Sequence, residues 1–345
     1  MGIGKSLGNR YRRYRKSRHL SAAFSQKYAF LGIGQHSLSN LYPCLHYLGV
    51  PLKYICTQHE SEAMQMAARF VGCRGTARLL DILEDEEVGG VFVSAQPEAH
   101  MALASQILSS GKGLFIEKPP CNTVSELDEL IVLQQGPCVV GLQKRYSHIN
   151  SLLTRRIKDL GLVKTYRAVY GTGSYPEGDV LRDLFIHAID NILFLFGEII
   201  RFSVELHDQG YILCSRHKEG VVGSLELSTG YTWKSPVDSL ILNTPQETYE
   251  IDYPYSMMGT VKPISVGGIP WEKILNKPLS QKIYYQNTAK LPIDKENSLS
   301  IQGYLPEVQT FLSLVEGSGT KNLSSLSDIR MTYEFMEKLR DCVVG

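Results

Sequence analysis

No stretch of the sequence approaches the 18 or so consecutive apolar residues that a bilayer-spanning helix needs, and its start has no apolar core suited to a secretory signal. A helical membrane protein is excluded, and a cytoplasmic setting is expected. The seven cysteines, Cys44, Cys56, Cys73, Cys121, Cys138, Cys214 and Cys342, contain no pair at CxxC spacing. Neither a disulfide frame nor a zinc site is expected from so scattered a set. HExxH and a serine nucleophile elbow are also missing, so no metal site is expected and acyl transfer from a GxSxG turn is excluded. The net charge of +1 lacks the basic surplus that would make nucleic acid the main partner. Acidic residues are absent before Glu60, whereas residues 1–27 carry eight lysines and arginines. This basic arm reads as a solvated tail, with peripheral contact to an anionic membrane or a targeting role as the sharper alternatives.

A chain of 345 residues exceeds one ordinary core and suits two domains. Residues 28–33 form an apolar run ending in glycine and leading into a helix-like stretch, 40–48. Further apolar runs at 52–56, 89–95, 113–118 and 138–146 alternate with helical patterns at 60–70, 79–87, 100–111 and 125–135. Strand and helix at this spacing specify a doubly wound parallel sheet, covered on both faces. Beyond residue 148 the pattern changes to successive strands with alternating polar and apolar residues, at 165–173, 200–209, 210–219, 220–229 and 235–253. A mostly antiparallel sheet with one open face is expected there, followed by helices near 303–317 and 326–342. The expected division is an arm over 1–27, an α/β Rossmann domain over 28–148, and an α+β domain over 149–345 for substrate binding and oligomerisation. An open sheet face that needs a partner predicts a homodimer or homotetramer.

Gly32-Ile33-Gly34-Gln35-His36-Ser37 follows the first strand and opens the first helix. There a first glycine makes the turn, a second admits a pyrophosphate close to the backbone, and the helix start offers free N–H groups. Ser37 replaces a third glycine. At the end of the second strand, where an acid would bind the ribose of NAD, stand Thr57 and Gln58, with no arginine adjacent in sequence to hold a 2′-phosphate. NAD and NADP both remain open as cofactor. The fourth apolar run delivers Glu117-Lys118-Pro119-Pro120 at its carboxyl end, where ligands bind in such sheets. A desolvated lysine at that point has its charged form disfavoured and can share in proton transfer from a hydroxyl. Asp183 and His187 lie four apart, on one face of a helix, with Asp190 three further on. His187 would serve as base, although a lone histidine in so apolar a segment more often belongs to the core.

Together, GIG after the first strand, SAQPEAH at 94–100, EKP at 117–119, GLQKRY at 141–146 and DLFIHAID at 183–190 resemble the Gfo/Idh/MocA oxidoreductases. The resemblance covers nearly all of residues 28–345. It implies hydride transfer between a nicotinamide and a hydroxyl or carbonyl carbon of a sugar, polyol or nucleotide-linked sugar. Lys118, His187 and Asp183 would be the catalytic set. The cofactor would lie on residues 32–37, Thr57, Gln58, Ala95, Gln96, Pro97, His100, Glu117, Lys118 and Arg145. Substrate would meet Lys118, Arg145, Tyr146, Asp183 and His187. Phe185 stands where the family has a small glycine, so its ring either narrows the pocket or faces the core. A non-catalytic dinucleotide-binding sensor or scaffold of the same fold is the alternative, favoured by Phe185 and the missing ribose acid and opposed by the retained lysine, aspartate and histidine.

Overall fold

The computed structural model describes residues 6–14, 24–160, 163–275, 279–288 and 297–344. Much of the basic arm lies outside these residues; within it, 6–14 form an exposed helix. The first sheet has six strands: β1 (Lys27–Leu31), β2 (Leu52–Cys56), β3 (Arg74–Thr76), β4 (Val88–Val93), β5 (Gly113–Glu117) and β6 (Cys138–Gly141). All its pairs are parallel, in the order β3-β2-β1-β4-β5-β6. This is the doubly wound arrangement expected, with its crevice where the order reverses, between β1 and β4. Strand β3 was hidden in what reads as a polar turn, because three residues are too few for a period to show. β6 also ends earlier than its apolar run suggests, giving way to a 3₁₀ turn, Gln143–Tyr146.

The second sheet contains β7 (Thr165–Gly171), β8 (Ile199–His207), β9 (Gly210–His217), β10 (Val222–Ser228), β11 (Val237–Asn243), β12 (Glu247–Asp252) and β13 (Ser256–Val261). A two-stranded ribbon, β14 (Ser265–Val266) with β15 (Ile269–Pro270), precedes the edge strand β16 (Gln281–Gln286). The order is β16-β13-β12-β11-β7-β10-β9-β8, antiparallel except for β7 with β10. The run at 235–253 is a hairpin rather than one strand, since Pro245 lies in the turn between β11 and β12.

Inward side chains such as Leu225, Leu227, Leu240 and Leu242 bury against the helix Ile186–Phe196. The helix Tyr304–Val315 returns to the first sheet, where Phe311 meets Phe92 edge-on at 4.9 Å and Phe115 at 5.9 Å. Its last turn carries on to Glu316, whose carboxylate accepts from Ser25 N at 2.9 Å and from the Tyr28 hydroxyl at 2.9 Å. Among the described residues no helix is long and apolar enough to cross a membrane.

Candidate active site

The crevice is shaped first by backbone. Gly32 has φ +104°, and a Cβ there would stand 2.1 Å from the Ser94 carbonyl oxygen, so β1 and β4 close together only because the residue is glycine. A Cβ on Gly34 would meet nothing within 4 Å, leaving open space at the mouth of the loop. Ser37, in place of the third glycine, is buried; its hydroxyl donates to Gly34 O at 2.9 Å and accepts from Gly34 N at 3.0 Å. The loop is thus locked by a side chain. Residues 37–41 form a π turn, the wider i→i+5 geometry that recurs at functional sites.

Lys118 follows β5 directly and is joined to Pro119 by a cis peptide. Its ammonium donates to the main-chain oxygen of Asp183, which lies in a second π turn, Leu181–Phe185. Burial pulls the lysine below its ordinary pKa, with Glu117 and Asp183 opposing in part. His187 opens the following helix and has a buried Nδ1 without a hydrogen-bond partner among the described residues. Burial, then the positive charges of Lys118, Lys144 and His36, drive its pKa well below the usual imidazole value. It is therefore a neutral ring with a vacant nitrogen beside a lysine that burial destabilises as a cation. Asp183 keeps its carboxylate near Tyr175, whose hydroxyl donates to Oδ2 at 3.3 Å.

Glu117 is 6% exposed, and His36 Nε2 approaches its Oε1 to 3.2 Å. Burial disfavours both charges, yet their attraction prevails: the carboxyl is held below its usual range and the imidazole above its own. His100 spans two loops, with Nδ1 2.7 Å from Pro119 O and Nε2 3.0 Å from Ala95 O. Burial lowers its pKa while the two carbonyl contacts oppose it, since only a protonated ring donates to both oxygens and a neutral one donates to a single carbonyl. Gln96 is the exposed residue before the helix that Pro97 begins. Thr57 donates through its hydroxyl to His59 O at 2.7 Å, and Gln58 is exposed.

Arg145 and Tyr146 are placed otherwise than expected. Arg145 is 3% exposed and pairs with Asp190 through Nε at 2.8 Å and Nη2 at 2.6 Å, while Nη1 donates to Leu323 O. Asp190 also accepts from Thr332 at 2.8 Å. The Tyr146 hydroxyl is taken up by Asn322, Ser324 and Leu323. With their polar atoms occupied by protein, these residues fasten the segment 322–332 instead of lining the cleft. Phe185, 1% exposed, packs edge-on to Tyr211 at 5.9 Å and so faces the core.

Lys144, the neighbour of Arg145, was not singled out by sequence. It pairs with Asp238 at 2.6 Å between the rings of Tyr170 and Tyr253, at 5.1 and 4.8 Å, with its charge reaching His187. Tyr175 is a second such residue. Among the described residues no three His, Cys, Asp or Glu side chains gather to hold a metal ion.

The fold and the lysine at its strand end define a two-domain Rossmann protein with a polar, titratable cleft. Residues 26–140 match the Gfo/Idh/MocA model, described as an oxidoreductase family with an NAD-binding Rossmann fold. The N-terminal domain is thus of the Gfo/Idh/MocA family. An inositol 2-dehydrogenase of Rhodococcus jostii (strain RHA1) is 24% identical over 192 residues, 52% of this chain and 52% of that protein. The match therefore spans about half the length of that relative. A solved dehydrogenase from Chromobacterium violaceum superposes with a TM-score of 0.78 at 18% identity, covering 92% of this chain and 95% of that one. Levoglucosan dehydrogenase, solved with NADH and levoglucosan, gives a TM-score of 0.76 at 15% identity, covering 92% and 97%. At these identities the structural likeness shows the fold across both domains.

Proposed function

We propose that the protein is an NAD(P)-dependent dehydrogenase that interconverts a hydroxyl and a carbonyl on a sugar, polyol or nucleotide-linked sugar. Lys118, half-buried and held on the Asp183 carbonyl oxygen, and the half-buried His187, whose pKa the lysine charge helps to depress, are both biased toward their neutral forms, and this pairing carries the reading. A dinucleotide fits the crevice, because Gly34 leaves space before the helix start and the loop is rigidly closed by Ser37. The nicotinamide would exchange the hydride at its C4. Lys118 holds the reacting oxygen, and His187 Nδ1 accepts the hydroxyl proton in oxidation or returns it in reduction. The Asp183 carboxylate, steadied by Tyr175, accepts from an adjacent hydroxyl, which favours polyhydroxy substrates. Relatives named for inositol and levoglucosan support the same class.

Titration of the purified protein with NADH and NADPH, followed by nicotinamide fluorescence, and with NAD⁺ and NADP⁺, followed by tryptophan fluorescence, is the test. Saturable binding that Gly34→Trp abolishes is expected. A sugar and polyol screen with Lys118→Ala should then show kcat lower by about 10²–10⁴-fold with nucleotide affinity retained. No binding of any nucleotide up to millimolar concentration would overturn the proposal.

We further infer a homodimer or homotetramer formed through the outer face of the second sheet, where Ile212, Met258 and Ile283 are exposed. Sedimentation at micromolar concentration should report an oligomer, and a sharp monomer would refute it.

A further inference from the structure

The end of β2 is where a Rossmann domain reads the adenosine ribose, and residues 57–59 bring no carboxylate there. What they lack in sequence neighbours the sheet supplies from β3. Cys56 pairs with Thr76 in parallel register, and Thr57 N donates to Thr76 O at 3.3 Å. Adjacent strands lie about 4.8 Å apart, so the space beyond β2 is within the length of a long side chain just after β3. That side chain is Arg78. Its backbone N–H donates to Thr76 Oγ1 at 3.1 Å, and the same hydroxyl donates to Asp81 Oδ2 at 2.6 Å. Asp81 is thereby drawn toward the sheet, while Arg78 stays 73% exposed, touching Asp81 only through Nε at 3.4 Å. Both terminal amino groups of Arg78 have no partner among the described residues. The other charges near this strand end are Glu60 and Glu62 in the first turn of the next helix, with His59 before it, all exposed.

We propose that this chain prefers a dinucleotide bearing a phosphate on the adenosine 2′-oxygen, and that Arg78 clasps this phosphate. The inference rests on the dinucleotide reading above and deepens it to a choice of cofactor. A carboxylate at 57–59 would repel a 2′-phosphate and accept from a free 2′-hydroxyl; its absence removes both effects at once. A planar guanidinium with two free N–H edges matches a phosphate in geometry and charge. The Thr57 hydroxyl donates to His59 O, and its neutral oxygen is a weaker acceptor for a ribose hydroxyl than the carboxylate it stands in for. Selection therefore falls on the phosphate.

The experiment is a fluorescence titration of the full chain with NADPH and NADH, for the unsubstituted protein, Arg78→Ala and Arg78→Lys. Tighter binding of NADPH by roughly tenfold or more is expected, the size of one good charge-assisted contact at about 1.4 kcal/mol per decade. Arg78→Ala should erase the difference while leaving the NADH dissociation constant unchanged, which also shows that the fold survives. Arg78→Lys should restore part of it, with a steeper loss in salt. NADH binding as tightly as NADPH, or a preference that persists in Arg78→Ala, overturns the proposal while leaving the dinucleotide site standing. Failure of both nucleotides to bind overturns the site itself.

Discussion

Lys118 stands between two opposed influences: burial, which lowers its pKa, and the carboxylates of Glu117 and Asp183, which raise it. The rate of alcohol oxidation should therefore climb with pH through a limb below the ordinary lysine value. Glu117→Gln deletes one of the raising charges and should move that limb to lower pH; a limb that stays in place would assign it to another group. Glu307 is the reverse case. It is wholly buried, and burial followed by the nearby Glu117 raises its carboxyl far above the usual range. The folded state keeps a proton that the unfolded chain releases above its ordinary value near pH 4.5, so stability falls as pH rises from there. Glu307→Gln should lessen that fall. Thermal midpoints at pH 5 and pH 8 for both proteins measure it, and an unchanged gap would remove Glu307 as its source.

Elements decide which of these residues could be read in advance. The glycine loop, Lys118 and the Asp183–His187 pair sit where a strand gives way to a turn or a helix begins, and such boundaries leave marks in glycine, proline and apolar period. The backbone contrast at the loop is testable. Gly32→Ala should destabilise by more than about 1 kcal/mol, from positive φ and collision with Ser94, whereas Gly34→Ala should leave denaturant unfolding nearly unchanged. The 3₁₀ turn at Gln143–Tyr146 was illegible. At three residues per turn its neighbours diverge by about 120°, so Lys144 turns to the cleft and Arg145 to the core, and no spacing rule tells which. Arg145→Ala would strand Asp190 in an apolar interior, and a loss of about 3–5 kcal/mol is expected by chemical denaturation. Arg78 was hidden for a related reason, since the end of β3 stands beside the end of β2 only through the pairing of these strands.

At the scale of the whole molecule, the alternation of strands and helices made the first sheet readable, including its parallel sense. The second sheet was readable as mostly antiparallel. The parallel pairing of β7 with β10 was not, because register between strands some fifty residues apart leaves no local trace. The seat of Phe311 is equally non-local. Gly90 and Gly113 leave room on the sheet for Phe311 and Val315, where a Cβ would press to within 3.0 and 2.6 Å of those side chains. A fragment of residues 24–160 should accordingly be insoluble or molten alone and should become ordered when 298–344 is co-expressed; a fragment that is cooperative by itself would contradict this.

The clasp of Glu316 on Ser25 and Tyr28 also sets an order of events during synthesis. The strand made earliest in the first sheet receives its covering helix only after some 270 further residues have left the ribosome. Until then the aromatic face of Phe92 and Phe115 is open to the surrounding solution. The nascent protein thus passes through a long interval in which that face lacks the helix that covers it in the finished fold.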